Sequence, residues 1–520
     1  MKHKFAVIAL AASALCAGGT AVKADPHRLT TTPIEHVVVI FGENNSFDHY
    51  FGTYPVATNP PGEPPFHALP DTPSVNGLGA LTADLIAANP NYFMKMPAPP
   101  FRLDRNTDAI TCDNDNGYAA EQEAYDHGLA DQFPTYTSVQ AGQVQTGAAT
   151  ASGSVNCLAN GAMGYYDGNT VTALWNYAQH YAMSDNFYDT EFGVTEEGHQ
   201  NLISGQTHTS GPTSGSASKD IVNGTMIANI DPPSAQDDCT KSPTVQMTSR
   251  NVGDLLNAAN GGQGVTWGWF YGDFAAGNSV PAVCNANYNP HYMPFQYYAS
   301  TANPHHLQPS STAAIGTKSD QANHQYDLNA LNAAIAAGNL PAVTFIKAMS
   351  TETGHPTNSG PLLEQTFLVD TINALMRSPE WPTMAIFITY DDSDGWYDHV
   401  MPPIVNESAD SANDFICQGP LPAGAFNDRC GYGTRLPFIV ISPYARHNYV
   451  DRAVTDTTSI LAFIESNWNL GFIDPGTPAP GQASFDRLAG SIAGVFDFNR
   501  PPDRRTLILN PSTGEVVNDY

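Results

Sequence analysis

The chain has 520 residues, with 50 acidic against 21 basic side chains and a formal net charge of −29. That balance excludes nucleic-acid binding, which needs a basic footprint, and suits an exported soluble protein that must attract a cation. Length alone would allow two or three domains. The site-like motifs are scattered from residue 43 to residue 399, however, and one α/β domain over residues 25–520 with long insertions explains the scatter better.

Lys2 and Lys4 precede an apolar run over residues 5–15 and a small-residue site at Val22-Lys23-Ala24, the pattern of a signal peptide over residues 1–24. The run is too short to span a bilayer, and no later segment is long and apolar enough to do so. The expected product is therefore exported, either periplasmic or secreted. Cleavage leaves Cys112, Cys157, Cys239, Cys284, Cys417 and Cys430. An even count in an exported chain predicts disulfides, and sequential pairing closes the shortest loops. None of the six has the CxxC spacing of a zinc site.

Residues 35–41 read as a buried strand and run straight into Gly42-Glu43-Asn44-Asn45-Ser46. Glu43 and Asn44 are hard oxygen donors of the kind that suit Mg, Ca or Mn, and zinc less well. The same residues also read as a helix N-terminus with acidic and Asn caps. Residues 55–75 are Pro-rich and irregular. A Cys112-Asp-Asn-Asp-Asn116-Gly-Tyr run leads into a helical pattern, and residues 140–156 read as a surface loop. The spacing predicts a helix over 170–180 and a strand over 181–188.

Next comes Gly193-Val-Thr195-Glu-Glu-Gly198-His199. A strand, a Gly-bearing turn and a hydroxyl at a helix start place Thr195 where backbone amides point outward, a ready anion site. An ordinary N-cap is the alternative, although Gly198 stands where a capping box would have Glu. Further strands are expected at 266–273, 340–347 and 436–442, with helices over 361–376 and 457–468. Asp273, His291, His324 and His355 lie among these elements. Strands alternating with helices predict a mostly parallel sheet covered on both faces.

The densest signal is residues 383–399. An apolar, β-branched strand ends in Asp391-Asp392-Ser-Asp394-Gly-Trp-Tyr-Asp398-His399. Carboxylates this crowded repel one another unless a cation holds them, and ligands sit at the carboxyl ends of strands in open α/β sheets. A solvated acidic turn is the bland alternative. Hard ligands, an anion-receptive hydroxyl and scattered histidines together point to metal-assisted phosphoryl transfer. Motifs for competing chemistries (GxSxG, HExxH, GxxxxGK[ST], CxPxR) are missing.

Residues 35–52, Gly193-Val-Thr195, Trp267-Gly-Trp269, His355 and Tyr390-Asp391-Asp392 with Tyr397-Asp398-His399 resemble the bacterial phosphoesterase family of secreted acid phosphatases and phospholipases C. The resemblance covers roughly residues 33–470 and implies an alkaline-phosphatase-like α/β fold. It implies that Glu43, Asn44, Thr195, Asp391 and Asp392 ligate one divalent ion (Ca, Mg, Mn or Zn), with Thr195 the nucleophile. His291 and His355 would line the phosphate pocket, one of them as the acid for the leaving group. His324 and Asp273 would belong to the same shell. Asp398 and His399 follow the motif and would be structural or would support the ligands from behind. Asn116 stands where relatives carry a pocket His, and Asp392 where some carry Glu. The leading expectation is a secreted acid phosphatase acting on small phosphate monoesters, because the chain lacks the C-terminal extension of the long phospholipases. A phospholipase C, with an aromatic head-group cage between residues 267 and 298, is the alternative. An exported metal-stabilised binding protein comes third.

Overall fold

A computed structural model describes residues 29–519, apart from 80–83, 94–97, 141, 146–154, 210, 216–218 and 479. The expected signal peptide lies outside the described residues. So does most of the loop expected at 140–156; within it, Val144–Gln145 and Val155–Asn156 pair as short antiparallel strands.

The largest sheet among the described residues has eight strands. In chain order they are β1 (His36–Gly42), β2 (Ala182–Ser184), β3 (Trp267–Tyr271), β4 (Gln325–Asp327), β5 (Val343–Lys347), β6 (Met384–Tyr390), β7 (Phe438–Ile441) and β8 (Tyr449–Asp451). Across the sheet the order is β4-β3-β5-β1-β6-β7-β2-β8. All run parallel except β7, which is antiparallel to both β6 and β2. The strands expected from the sequence are present, with one difference. Residues 181–188 split into β2 and a separate pair at Phe187–Tyr188, because Asp185 turns aside to donate its amide to the Asp451 carbonyl (3.2 Å).

Every residue of β6 is buried, as are Val37 to Phe41 of β1. Unbroken apolar strands are what a parallel sheet with both faces covered requires. The two faces can be told apart on β6. The Tyr390 hydroxyl donates to Glu364 of helix α6 (Pro361–Met376) at 2.5 Å. Phe387, an odd number of residues away, meets Phe463 of helix α7 (Thr457–Asn467) edge-on at 5.6 Å. Helices therefore cover both faces, as expected. The other helices used below are α1 (Phe47–Phe51), α2 (Tyr118–Tyr125), α3 (Thr172–His180), α4 (Thr195–Ser204) and α5 (Leu328–Ala337).

The disulfides are Cys112–Cys157, Cys239–Cys284 and Cys417–Cys430, the sequential pairing expected. No helix among the described residues is long and apolar enough to cross a membrane.

Candidate metal centre and active site

Three neighbouring parallel strands, β5, β1 and β6, end side by side. In register, Ile40 faces Ile346 and Gly42 faces Tyr390. The next residues along each strand are thus forced together: Lys347 from β5, Glu43 and Asn44 after β1, Asp391 and Asp392 after β6. All five are buried. Asn44 adopts a left-handed backbone (φ 58°), which Asn tolerates better than most residues. That turn lets its amide donate to Asp391 Oδ1 (3.0 Å) while its side chain donates to Asp394 Oδ1 (2.8 Å).

Helix α4 points its N-terminus at the same place. Gly193, at φ 140°, makes the turn into it. The N-cap residue is Val194, whose side chain makes no capping bond. Thr195 is therefore the first helical residue rather than a cap, and its hydroxyl lies 3.5 Å from Asp392 Oδ2. Gly198 explains the close approach, since a Cβ there would lie 1.9 Å from the Asp391 carbonyl oxygen. Only glycine lets the first turn of α4 rest on the end of β6.

Burial pushes the Glu43 carboxyl well above the usual carboxylate range, and the charge of Asp391 adds to this against the pull of Lys347. Burial acts on Asp391 in the same sense, but Lys347 and His199 outweigh it and hold that carboxyl low. Asp392 is raised by burial and then by Asp391. Several polar atoms here are buried without a hydrogen-bond partner: Glu43 Oε2, Asn44 Oδ1 and His199 Nε2. Buried polar atoms are rarely left so. Carboxylate, amide and hydroxyl oxygens converging with orphaned lone pairs fit a divalent cation.

His291 stands beside this centre. Its Nδ1 is 3.2 Å from Glu196 Oε1, next in chain to Thr195, and 3.7 Å from Asp231. Asn116 also reaches in, donating to Asp392 Oδ1 at 2.9 Å. His355 spends its Nδ1 on the Pro356 carbonyl (2.6 Å). Its loop is tied to the Cys112 segment through Thr357, whose amide donates to the Thr111 carbonyl (2.9 Å). No described hydrogen bond joins His355 to Thr195, Asp391 or Asp392.

Two expected positions are corrected. His324 is not in this shell: it donates from Nδ1 to the Trp267 carbonyl (2.9 Å) and stacks on the Trp267 ring (4.1 Å), at the opposite end of β3. Burial lowers its pKa to about 4, so it is a neutral core residue. Asp273 follows β3 at the correct end of the sheet, but it lines a separate cavity of about 500 Å³ with Asp327, Glu352 and Asp370. Asp398 and His399 lie apart from the Thr195 hydroxyl, among charged partners of their own. Together with Asp48 and Arg435 they form a buried ion cluster that locks α1 to the loop after β6.

Sequence reasoning gave no role to His199, Glu121 or Lys347. His199 lies one turn after Thr195 and donates Nδ1–H to the Thr195 carbonyl (2.7 Å), so its bare Nε2 is the orphan; the i, i+4 spacing was the available signal. Glu121 of α2 accepts from the Gly193 amide (3.4 Å) and from Ser393, bridging the Thr195 turn to the Asp392 loop. Burial pushes it up to about 8. No local pattern marked it, because its partners are more than seventy residues away. Lys347 read only as a strand end.

Over residues 34–471 the chain matches the model of the Phosphoesterase family. It is 24% identical over 482 residues to the non-hemolytic phospholipase C of Pseudomonas aeruginosa, covering 90% of this chain and 58% of that protein. It thus spans little more than half the length of that relative. Phospholipase C A of Mycobacterium tuberculosis is 25% identical over 505 residues, covering 93% and 81%. A solved alkaline-phosphatase-superfamily protein from Vibrio parahaemolyticus is 10% identical, with 65% and 67% coverage and a TM-score of 0.31, too low to bear on the fold.

Proposed function

Because the chain belongs to the Phosphoesterase family, we propose that it is an exported, metal-dependent phosphoester hydrolase acting through Thr195. The observation that carries this reading is the meeting of two independent elements. The carboxylates at the ends of β1 and β6 face the hydroxyl at the start of α4, with Thr195 Oγ1 3.5 Å from Asp392 Oδ2. Glu43, Asn44, Thr195, Asp391 and Asp392 would hold a divalent ion, which would supply positive charge to make the Thr195 hydroxyl more acidic and to offset its repulsion from phosphate. The remaining chemistry belongs to the chain. Thr195 Oγ gives up its proton to solvent and forms a bond to phosphorus as the bond to the leaving alcohol breaks, and the α4 amides receive the phosphoryl oxygens. His291, oriented by Glu196, or His355 gives the alcohol its proton. Water then releases phosphate and restores the hydroxyl. His199 holds the Thr195 carbonyl, and Asn116 holds Asp392. The three disulfides support export.

The favoured substrates are small phosphate monoesters, the acid phosphatase reading. Trp267, Trp269, Tyr271, Phe295, Tyr297 and Tyr298 pack into the core and present no face to a choline head group. The second reading is a phospholipase C, favoured by the names of both relatives above. The test compares release of p-nitrophenol from p-nitrophenyl phosphate and p-nitrophenyl phosphorylcholine, from about pH 4 to about pH 9. Faster turnover of the monoester is expected. Preference for the choline diester would overturn the monoesterase reading and leave the nucleophile assignment standing.

A further inference from the structure

Lys347 plays no part in the steps above, yet it sits at their centre. Its ammonium lies against Glu43 Oε1 and 3.4 Å from Asp391 Oδ2, and it donates to the Gly42 carbonyl at 2.9 Å. The rings of Phe41 and Tyr292 close over it, with centres 5.1 and 4.9 Å away. The side chains of Lys347, Glu43 and Asp391 are fully buried. Among the described residues no other lysine or arginine pairs with Glu43, Asp391 or Asp392. The position is dictated by the sheet: β5 lies beside β1 in a register that sets Ile346 opposite Ile40 and so delivers Lys347 to the end of β1.

Charge balance gives this placement a consequence. Glu43, Asp391 and Asp392 carry three negative charges when ionised, and one divalent ion leaves one of them uncompensated. A centre still negative repels a phosphate anion, strongly so where water is excluded. A second metal ion could supply the missing charge, but the lysine is already there.

We propose that Lys347 is a positioning residue that takes the place of a second cation, neutralising one charge of the Glu43–Asp391 pair so that a single divalent ion suffices to admit a phosphate anion. The inference rests on the reading that these carboxylates hold an ion. Titration calorimetry of Mn²⁺ into the metal-stripped protein, followed by inorganic phosphate into the Mn²⁺-loaded form, tests it on wild type, K347M and K347R. Wild type should take up one tight ion. K347M should either bind a second ion or bind phosphate about tenfold or more weakly. K347R, which keeps the charge, should stay within about threefold of wild type for phosphate. Two tight ions in wild type, both lost in E43Q, overturn the inference alone, as does a one-ion K347M with unchanged phosphate affinity. No ion in wild type overturns the metal centre and this inference together. Should K347M fail to fold, wild-type stoichiometry and K347R decide between the same outcomes.

Discussion

Thr195 makes no capping bond, and its hydroxyl donates only a long hydrogen bond to the Asp392 carboxylate (3.5 Å). T195A removes one oxygen from a site otherwise held by Asn44, Asp391 and Gly198, so the fold should survive. Turnover of p-nitrophenyl phosphate should fall by about 10³-fold or more, with an unchanged thermal melt. Residual activity near wild type would mean that another group attacks phosphorus. A second residue prediction lies away from the site. Glu465 on α7 is buried beside Asp486, and burial together with that neighbour pushes its carboxyl up to about 10. The folded chain therefore keeps a proton that the unfolded chain releases above its ordinary value of 4.5. Where the native state binds more protons, stability falls with rising pH. The contribution is thus intact at about pH 4 and is lost progressively toward pH 10. E465Q, which keeps the shape and cannot ionise, should melt close to wild type near pH 5 and increasingly above it by pH 9. Parallel melting curves across that range would refute the assignment.

Elements explain why so few residues need to be special. β5, β1 and β6 are ordinary buried strands, and parallel pairing alone makes their ends coincide. The unusual requirement falls on α4, which must bring its first turn within van der Waals contact of the end of β6. G198A tests this directly, since its methyl would overlap the Asp391 carbonyl. Either the helix or the strand end must shift, at a cost of about 1–3 kcal/mol. Activity should drop along with the melting temperature, because the shift separates Thr195 from Asp392. A G198A protein with wild-type stability and rate would show that the contact has slack. The Asp48–Asp398–His399–Arg435 cluster holds the opposite side of the same loop. Asp398 and His399 are engaged there by Asp48 and Arg435, which accounts for their burial by packing.

Across the whole molecule, the site depends on segments with little regular structure. Asn116 arrives on a loop whose base is closed by Cys112–Cys157, a link spanning 45 residues. Closing a loop of that length restricts the unfolded chain by about 4 kcal/mol in the entropic account. The C112A/C157A pair should therefore lower the melting temperature. It should also weaken phosphate binding through the loss of an ordered Asn116, whereas C239A/C284A should affect stability alone. Equal losses of phosphate affinity in both pairs would argue against a specific role for the Asn116 loop.

The strands, the main helices and the end of each strand at which chemistry could occur were legible in the sequence, because burial on both faces writes itself as apolar runs and like charges do not crowd without cause. Glu43, Asp391 and Thr195 could be singled out on those grounds. Strand order was not legible, since nothing local states which strands are neighbours. Only the tertiary structure therefore moved His324 to the far end of β3 and Asp273 to another cavity, and only it brought Glu121 into the centre; His199 follows Thr195 by one helical turn. Lys347 is the clearest instance. In sequence it is a charged residue ending a strand, which ordinarily means solvent; in the fold that end is roofed by Phe41 and Tyr292, and its charge has nowhere to go but onto two carboxylates.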